Sequence, residues 1–96
     1  MLRAKALSKP IVAHCEDETL IAKGGCVHDG ELAARLGLTG ISSASEYKQV
    51  ERDIELVRRT GCRYHVCHVS TRQTVDIIRN ARKEGLDVSC ETAPHY

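Results

Sequence analysis

The sequence predicts an α/β fold with a parallel β-sheet, and two observations support this prediction. Three apolar runs rich in β-branched residues have strand character, over residues 10–16, 63–70 and 87–95. Stretches with apolar residues at helical spacing precede the second run and separate it from the third. Because a strand, helix, strand unit with short connections is nearly always a right-handed parallel crossover, we expect the three strands to run parallel.

The helix before the second strand is predicted over residues 46–59. Ser43 and Glu46 have the spacing of a capping box at its start, and Gly61 follows its end. This helix should bury one face, because its sequence contains an apolar stripe. The stripe consists of Tyr47, Val50, Ile54 and Val57.

The helix between the second and third strands is predicted over residues 72–84. Ser70 and Gln73 have capping-box spacing at its start, and Gly85 occupies the position of a C-terminal glycine. Upstream, residues 17–45 read as a long connection that contains one short helical piece, GELAARLG. Long connections of this kind are usually functional or poorly ordered.

Composition argues against nucleic-acid and membrane partners. Fourteen basic and thirteen acidic residues are interspersed and give a formal net charge of +1, so no basic patch is apparent. No stretch approaches the roughly 20 apolar residues of a membrane span, and we expect a cytoplasmic protein. The five cysteines form no CxxC pair and are odd in number, so we expect free thiols.

Histidines stand at the ends of the predicted strands. His14 ends the first run, His68 the second and His95 the third. Val12 and Val66 each precede a histidine by two residues, and strand alternation predicts that valine and histidine share one face. Chemistry gathered at the C-terminal ends of parallel strands is typical of a (β/α)₈ barrel. No glycine-rich phosphate loop supports a nucleotide-binding, doubly wound sheet instead.

Two of these histidines, His14 and His68, are candidate metal ligands. Equivalent positions at the ends of parallel strands lie on one surface, and neutral imidazole nitrogens readily bind zinc and related ions. His95 follows Pro94 beyond the strand proper, so its role as a ligand stays open. For Glu16 two interpretations stay open, a hydrogen-bond partner of a ligating histidine or a solvated carboxylate.

The cysteines beside these histidines suggest packing more than chemistry. Cys15 and Cys67 alternate with the candidate ligands, so both are expected to pack against the helices. A small zinc module built on Cys62, Cys67 and His68 is an alternative, but the sequence lacks the CxxC spacing of such modules.

Three motifs together resemble those of the dihydroorotases, a family of the amidohydrolase superfamily of metal-dependent cyclic-amide hydrolases. The motifs are AHCED at 13–17, YHVCHVST at 64–71 and CETAPHY at 90–96, and the resemblance extends over essentially the whole chain. It implies a distorted (β/α)₈ barrel with one or two Zn²⁺ ions. It also implies interconversion of L-dihydroorotate and N-carbamoyl-L-aspartate, a step of de novo pyrimidine biosynthesis.

Carried over by motif position, His14 and His68 correspond to zinc ligands of the family. The family's H-x-H pair and bridging ligand are expected before Met1, and its general-base aspartate beyond Tyr96. The resemblance therefore assigns no catalytic residue to this chain. We expect residues 1–96 to be a partial barrel domain, about strands five to seven, that is inactive by itself and leaves one sheet face uncovered.

Two other functions remain open at this stage. One is another cyclic amidohydrolase, such as a dihydropyrimidinase, hydantoinase or allantoinase. The other is a non-catalytic, amidohydrolase-like assembly partner. For an enzyme we expect a small-molecule substrate and a homo-oligomer.

Overall fold

The computed structural model describes residues 1–96, in which short strands alternate with helices. The strands are β1 (Ile11–Ala13), β2 (Val27–His28), β3 (Gly40–Ile41), β4 (Tyr64–Val66) and β5 (Val88–Cys90). The helices are α1 (Leu2–Ala6), α2 (Glu31–Leu36), α3 (Ala44–Thr60) and α4 (Arg72–Lys83), with a 3₁₀ turn over Glu18–Leu20. None of these helices combines the length and apolarity that crossing a membrane requires.

The main sheet has three parallel strands in the order β1–β4–β5. The α/β class, the three strands and their parallel direction are therefore confirmed, although each strand has only three residues. A second sheet pairs β2 with β3 in parallel. This small sheet lies within residues 17–45, where the sequence indicated only one short helical piece, observed as α2 ending at the left-handed Gly37.

Both long helices are confirmed to within a few residues, but the two predicted capping boxes are wrong. The N-cap of α4 is Thr71, whose hydroxyl accepts a hydrogen bond of 3.2 Å from the backbone N–H of Thr74. The side chain of Ser43 makes no capping bond at the start of α3. The carboxylate of Glu46 binds elsewhere, as described below. At the C-terminus of α3, Gly61 has the expected left-handed conformation, with φ of 63°.

Helices α3 and α4 cover one face of the main sheet and form the core with it. The core contains Val50, Ile54 and Val57 of α3, Ile78 and Ala81 of α4, and Tyr64, Val66 and Val88 of the strands. The opposite face is uncovered, and Val12 on it is 63% exposed. The radius of gyration is 14.8 Å, whereas a compact domain of this length has about 12–13 Å.

One prediction about the sheet faces is wrong. Val66 is fully buried under the helices, because it pairs with Ala13, whereas Val12 pairs with His65 on the other face. The error arose from counting the alternation back from His68. That residue has a positive φ of 37°, which interrupts the alternation beyond the end of β4.

The same register corrects one of the two cysteine predictions. Cys15 is buried in the core as expected. Cys67 is only half-buried and lies near His65 and Glu91. Its side chain therefore does not pack against the helices. All five cysteines of the chain are free thiols.

Candidate metal centre

The side chains of His14 and His68 meet beyond the C-terminal ends of β1 and β4. Nδ1 of His14 lies 3.0 Å from Nε2 of His68. Two nitrogens that each bind one tetrahedral zinc ion at about 2.0–2.1 Å lie about 3.3–3.4 Å apart. The pair thus needs only a small adjustment to share one ion. The predicted convergence of these imidazoles is confirmed, and their role as metal ligands stays a prediction.

Glu16 determines which nitrogen of His14 is available. Its Oε2 lies 3.3 Å from Nε2 of His14. An ionised carboxylate only accepts hydrogen bonds, so this contact places the imidazole proton on Nε2 and leaves the lone pair of Nδ1 directed at His68. Metal-ligating histidines commonly show this arrangement. The contact supports the partner interpretation of Glu16, although both side chains are partly exposed and the contact alone is weak.

Glu46 of α3 holds the segment that follows His68. Its Oε2 accepts hydrogen bonds from the backbone N–H and hydroxyl of Ser70, at 3.0 and 2.6 Å. Its Oε1 accepts from the backbone N–H and hydroxyl of Thr71, at 3.1 and 2.9 Å. Burial alone would raise the pKa of Glu46, but the hydrogen bonds from Ser70, Thr74 and Thr71 outweigh it and lower the pKa below the ordinary value of 4.5. A charged carboxylate therefore stabilises the segment next to the strained His68 backbone.

Gln49, one turn further along α3, holds the other histidine segment. Its Oε1 accepts a hydrogen bond of 3.1 Å from the backbone N–H of Glu16, and its Nε2 donates one of 3.2 Å to the carbonyl of His14. The backbone N–H of Asp17 also donates to the carbonyl of Ser45, at 2.8 Å. One helix thus fixes both segments that present the imidazoles.

Sequence reasoning missed this function of α3. It assigned Glu46 to a capping box and gave Gln49 no role. The available signal was the spacing of Glu46 and Gln49. These two polar residues are three positions apart in the first turns of α3, so they lie on one side of the helix, next to the apolar stripe that packs on the sheet.

A buried hydrogen-bond chain lies behind the histidine pair. The hydroxyl of Tyr64 donates to Oδ2 of Asp53 at 2.7 Å, and Sγ of Cys15 lies 3.2 Å from the same hydroxyl oxygen. Because Tyr64 has a single proton, the thiol of Cys15 is the donor in the second contact. Burial raises the pKa of Tyr64 and of Cys15, so both groups stay protonated. The chain links α3 to the residue directly after His14.

An open cavity of about 450 Å³ borders the histidine pair. Its wall includes His14, His68 and Glu46, and also His28 from the second sheet, which sequence reasoning had not singled out. His95 does not line this wall itself, but its ring packs against Tyr96, which does, with the ring centroids 4.5 Å apart. The structure thus brings together His14 and His68, and it places His95 behind a residue of the cavity wall and not in the wall itself.

These features define a class: a parallel α/β protein with an imidazole pair and a cavity at the C-terminal ends of neighbouring strands. A family model described as dihydro-orotase-like matches residues 1–74. The chain belongs to this dihydroorotase-like family.

Curated relatives and solved structures agree with the family assignment. Dihydroorotases from Anoxybacillus flavithermus and Latilactobacillus sakei subsp. sakei are 55% and 51% identical to the chain over 96 residues. Each match covers 100% of this chain but 22% of the relative, so the chain spans about a fifth of their length.

Among solved structures, the L-hydantoinase (dihydropyrimidinase) from Arthrobacter aurescens has a TM-score of 0.75 and 33% identity, covering 99% of this chain and 22% of that one. The D-hydantoinase from Bacillus sp. AR9 has a TM-score of 0.78 and 26% identity, covering 99% and 21%.

Proposed function

We propose that the chain is part of a dihydroorotase, an enzyme that hydrolyses a cyclic amide and interconverts L-dihydroorotate and N-carbamoyl-L-aspartate. The observation that carries this proposal is the 3.0 Å approach of His14 and His68 in a member of the dihydroorotase-like family. Relatives with 55% and 51% identity over the whole chain bear the name dihydroorotase. A cytoplasmic location, a homo-oligomer and a small-molecule substrate belong to the same proposal.

Residues 1–96 would form a partial domain that corresponds to about strands five to seven of a (β/α)₈ barrel. Two observations support this assignment. The helices cover only one face of the parallel sheet, as they do in a barrel, where the other face points inward. The curated relatives are also several times longer than this chain, since the match covers 22% of each.

His14 and His68 would hold Zn²⁺, and the donor set fits this ion, since both offer neutral imidazole nitrogens at a suitable spacing. When bound, zinc supplies a Lewis acid that polarises the ring amide carbonyl and lowers the pKa of water. Glu16 keeps the His14 proton on Nε2, and Glu46 and Gln49 keep both segments in place. A catalytic zinc site has three protein ligands, so the site needs further ligands beyond these two, and we assign no catalytic base within residues 1–96.

Another cyclic amidohydrolase is the second candidate. Hydantoinases share the fold with TM-scores of 0.75 and 0.78. Their identities of 33% and 26% are lower than the 55% and 51% of the dihydroorotases. The difference favours the dihydroorotase proposal.

The test uses the complete protein that contains these residues, purified with its metal. We expect turnover of L-dihydroorotate and little turnover of hydantoin or dihydrouracil. His68→Asn removes the imidazole but suits the left-handed backbone, and we expect it to lose bound zinc and activity together. His95→Phe is the matched control, because it also removes an imidazole outside the cavity wall but keeps an aromatic ring against Tyr96. Preference for hydantoin would favour the second candidate, and full zinc content in His68→Asn would refute the ligand assignment.

A further inference from the structure

We propose a second metal site on the uncovered face of the main sheet, formed by His65, Cys67 and Glu91 and suited to a zinc-like transition metal. One ligand atom from each residue, a ring nitrogen, the thiol sulfur and a carboxylate oxygen, lies within 4.8 Å of the other two. The proposal rests on these residues alone and is independent of the function proposed above.

The sheet register brings these three residues together. His65 and Cys67 are two positions apart, so both side chains leave the face opposite the buried Val66. Glu91 directly follows β5, the neighbour of β4. Its backbone is fixed on both sides, since its N–H donates to the carbonyl of Val66 at 3.1 Å and its carbonyl accepts from Val69 at 2.8 Å. The hydrogen-bonded neighbours β4 and β5 thus hold the three ligand side chains close together.

The imidazole of His65 is already oriented for binding. Its Nδ1 lies 2.8 Å from the hydroxyl oxygen of Ser89, the residue it pairs with on β5. Its Nε2 faces Oε2 of Glu91 at 3.7 Å, which is too long for a hydrogen bond. A proton on Nδ1, donated to Ser89, satisfies this geometry and leaves the lone pair of Nε2 directed into the cluster. Metal-ligating histidines are held in this way by a partner on the other ring nitrogen.

The chemistry of the donors selects the class of ion. Thiolate and imidazole ligands suit Zn²⁺ and Co²⁺, whereas Mg²⁺ and Ca²⁺ prefer oxygen donors. The thiolate of Cys67 and the carboxylate of Glu91 together neutralise the charge of a divalent ion, and the thiol proton leaves to solvent on binding. None of the three residues belongs to the wall of the cavity beside His14 and His68. The cluster would therefore bind its own ion and join β4 to β5.

The experiment titrates the metal-free complete protein that contains these residues with Co²⁺ and follows the near-ultraviolet absorption of a cobalt–thiolate bond. To exclude the first site, the background variant replaces His14 by Ala and His68 by Asn. We expect the absorption band in this background, retention of the band in Cys90→Ser and loss of it in Cys67→Ser. Cys90 is the matched control, because it is an exposed thiol on the adjacent strand outside the cluster.

Ser89→Ala gives a second readout that does not remove a ligand. Loss of an orienting partner commonly lowers metal affinity by about 10–100-fold, so we expect a shift of that size in the Co²⁺ titration. Glu91→Gln should likewise weaken binding. A band that persists in Cys67→Ser, or no band in the background variant, would overturn the proposal, as would unchanged affinity in both Ser89→Ala and Glu91→Gln.

Discussion

Replacing Glu46 by glutamine tests whether α3 holds the segment after His68. The carboxylate accepts two backbone N–H and two hydroxyl hydrogen bonds from Ser70 and Thr71. Glutamine keeps one oxygen and turns an amide N–H₂ toward one of these backbone donors, which is left without an acceptor. Because Glu46 is only half-buried, we take the low end of the range for charged hydrogen bonds. The expected loss is about 1–2 kcal/mol of unfolding free energy.

The measurement is urea unfolding of the purified chain, with Glu51→Gln as control. Glu51 lies on the same helix and pairs with Lys48 at 2.8 Å, but both side chains are about half-exposed. Such surface pairs contribute about 0.2–1 kcal/mol. Equal losses in the two variants would refute the assigned role of Glu46.

The pH dependence of the same variants gives an independent check. The pKa of Glu46 is lowered in the folded chain, so its contribution to stability is present above the ordinary value and is lost as the pH falls through the folded value. The stability difference between the wild-type chain and Glu46→Gln should therefore be constant above about pH 5 and shrink below pH 4.5. A difference that grows on acidification would contradict this linkage.

Three further substitutions test other features of the fold. His68→Val should lower the melting temperature more than His68→Asn, because a β-branched residue adopts a positive φ at a cost of about 1–3 kcal/mol; equal melting temperatures would contradict the strained backbone. Tyr64→Phe removes a hydrogen-bond donor from the buried carboxylate of Asp53. It should lower the free energy of unfolding in denaturant by about 1–3 kcal/mol, and an unchanged value would show that the buried hydrogen-bond chain does not contribute to stability. Val66→Ala should lower the free energy of unfolding by about 1–3 kcal/mol, and Val12→Ala should lower it by under about 0.5 kcal/mol. The reverse order would contradict the placement of Val66 on the covered face of the sheet and of Val12 on the uncovered face.

The fold class was predictable because the long elements obey simple periodic rules. The stripe of Val50, Ile54 and Val57 predicted the buried face of α3, and Gly61 predicted its end. The approach of His14 to His68 was also predictable, since it needs only parallel neighbouring strands with histidines beyond their ends. These features depend on local sequence and on one register.

Other features depended on interactions that local patterns do not contain. The left-handed backbone at His68 interrupts the alternation, so the faces predicted for Val66 and Cys67 were reversed. Glu46 resembles a capping residue in sequence, yet it binds a segment 24 and 25 positions away. Strands β2 and β3 have two residues each, too few for any periodic signal. The binding of Glu46 and the pairing of β2 with β3 are contacts between distant segments, which local periodicity does not encode.

The attachment of both histidine segments to α3 has a mechanical consequence. Glu46 and Gln49 are three residues apart, which is about 4.5 Å along the helix axis, so the two attachments share one nearly rigid body. When α3 shifts against the sheet, both imidazoles are carried in the same direction. Such a shift should therefore change the distance between Nδ1 of His14 and Nε2 of His68 very little. This distance sets the size of the ion that fits between them. Substitutions that displace α3 should relocate the pair within the cavity and leave its spacing, and hence its choice of ion, largely unchanged.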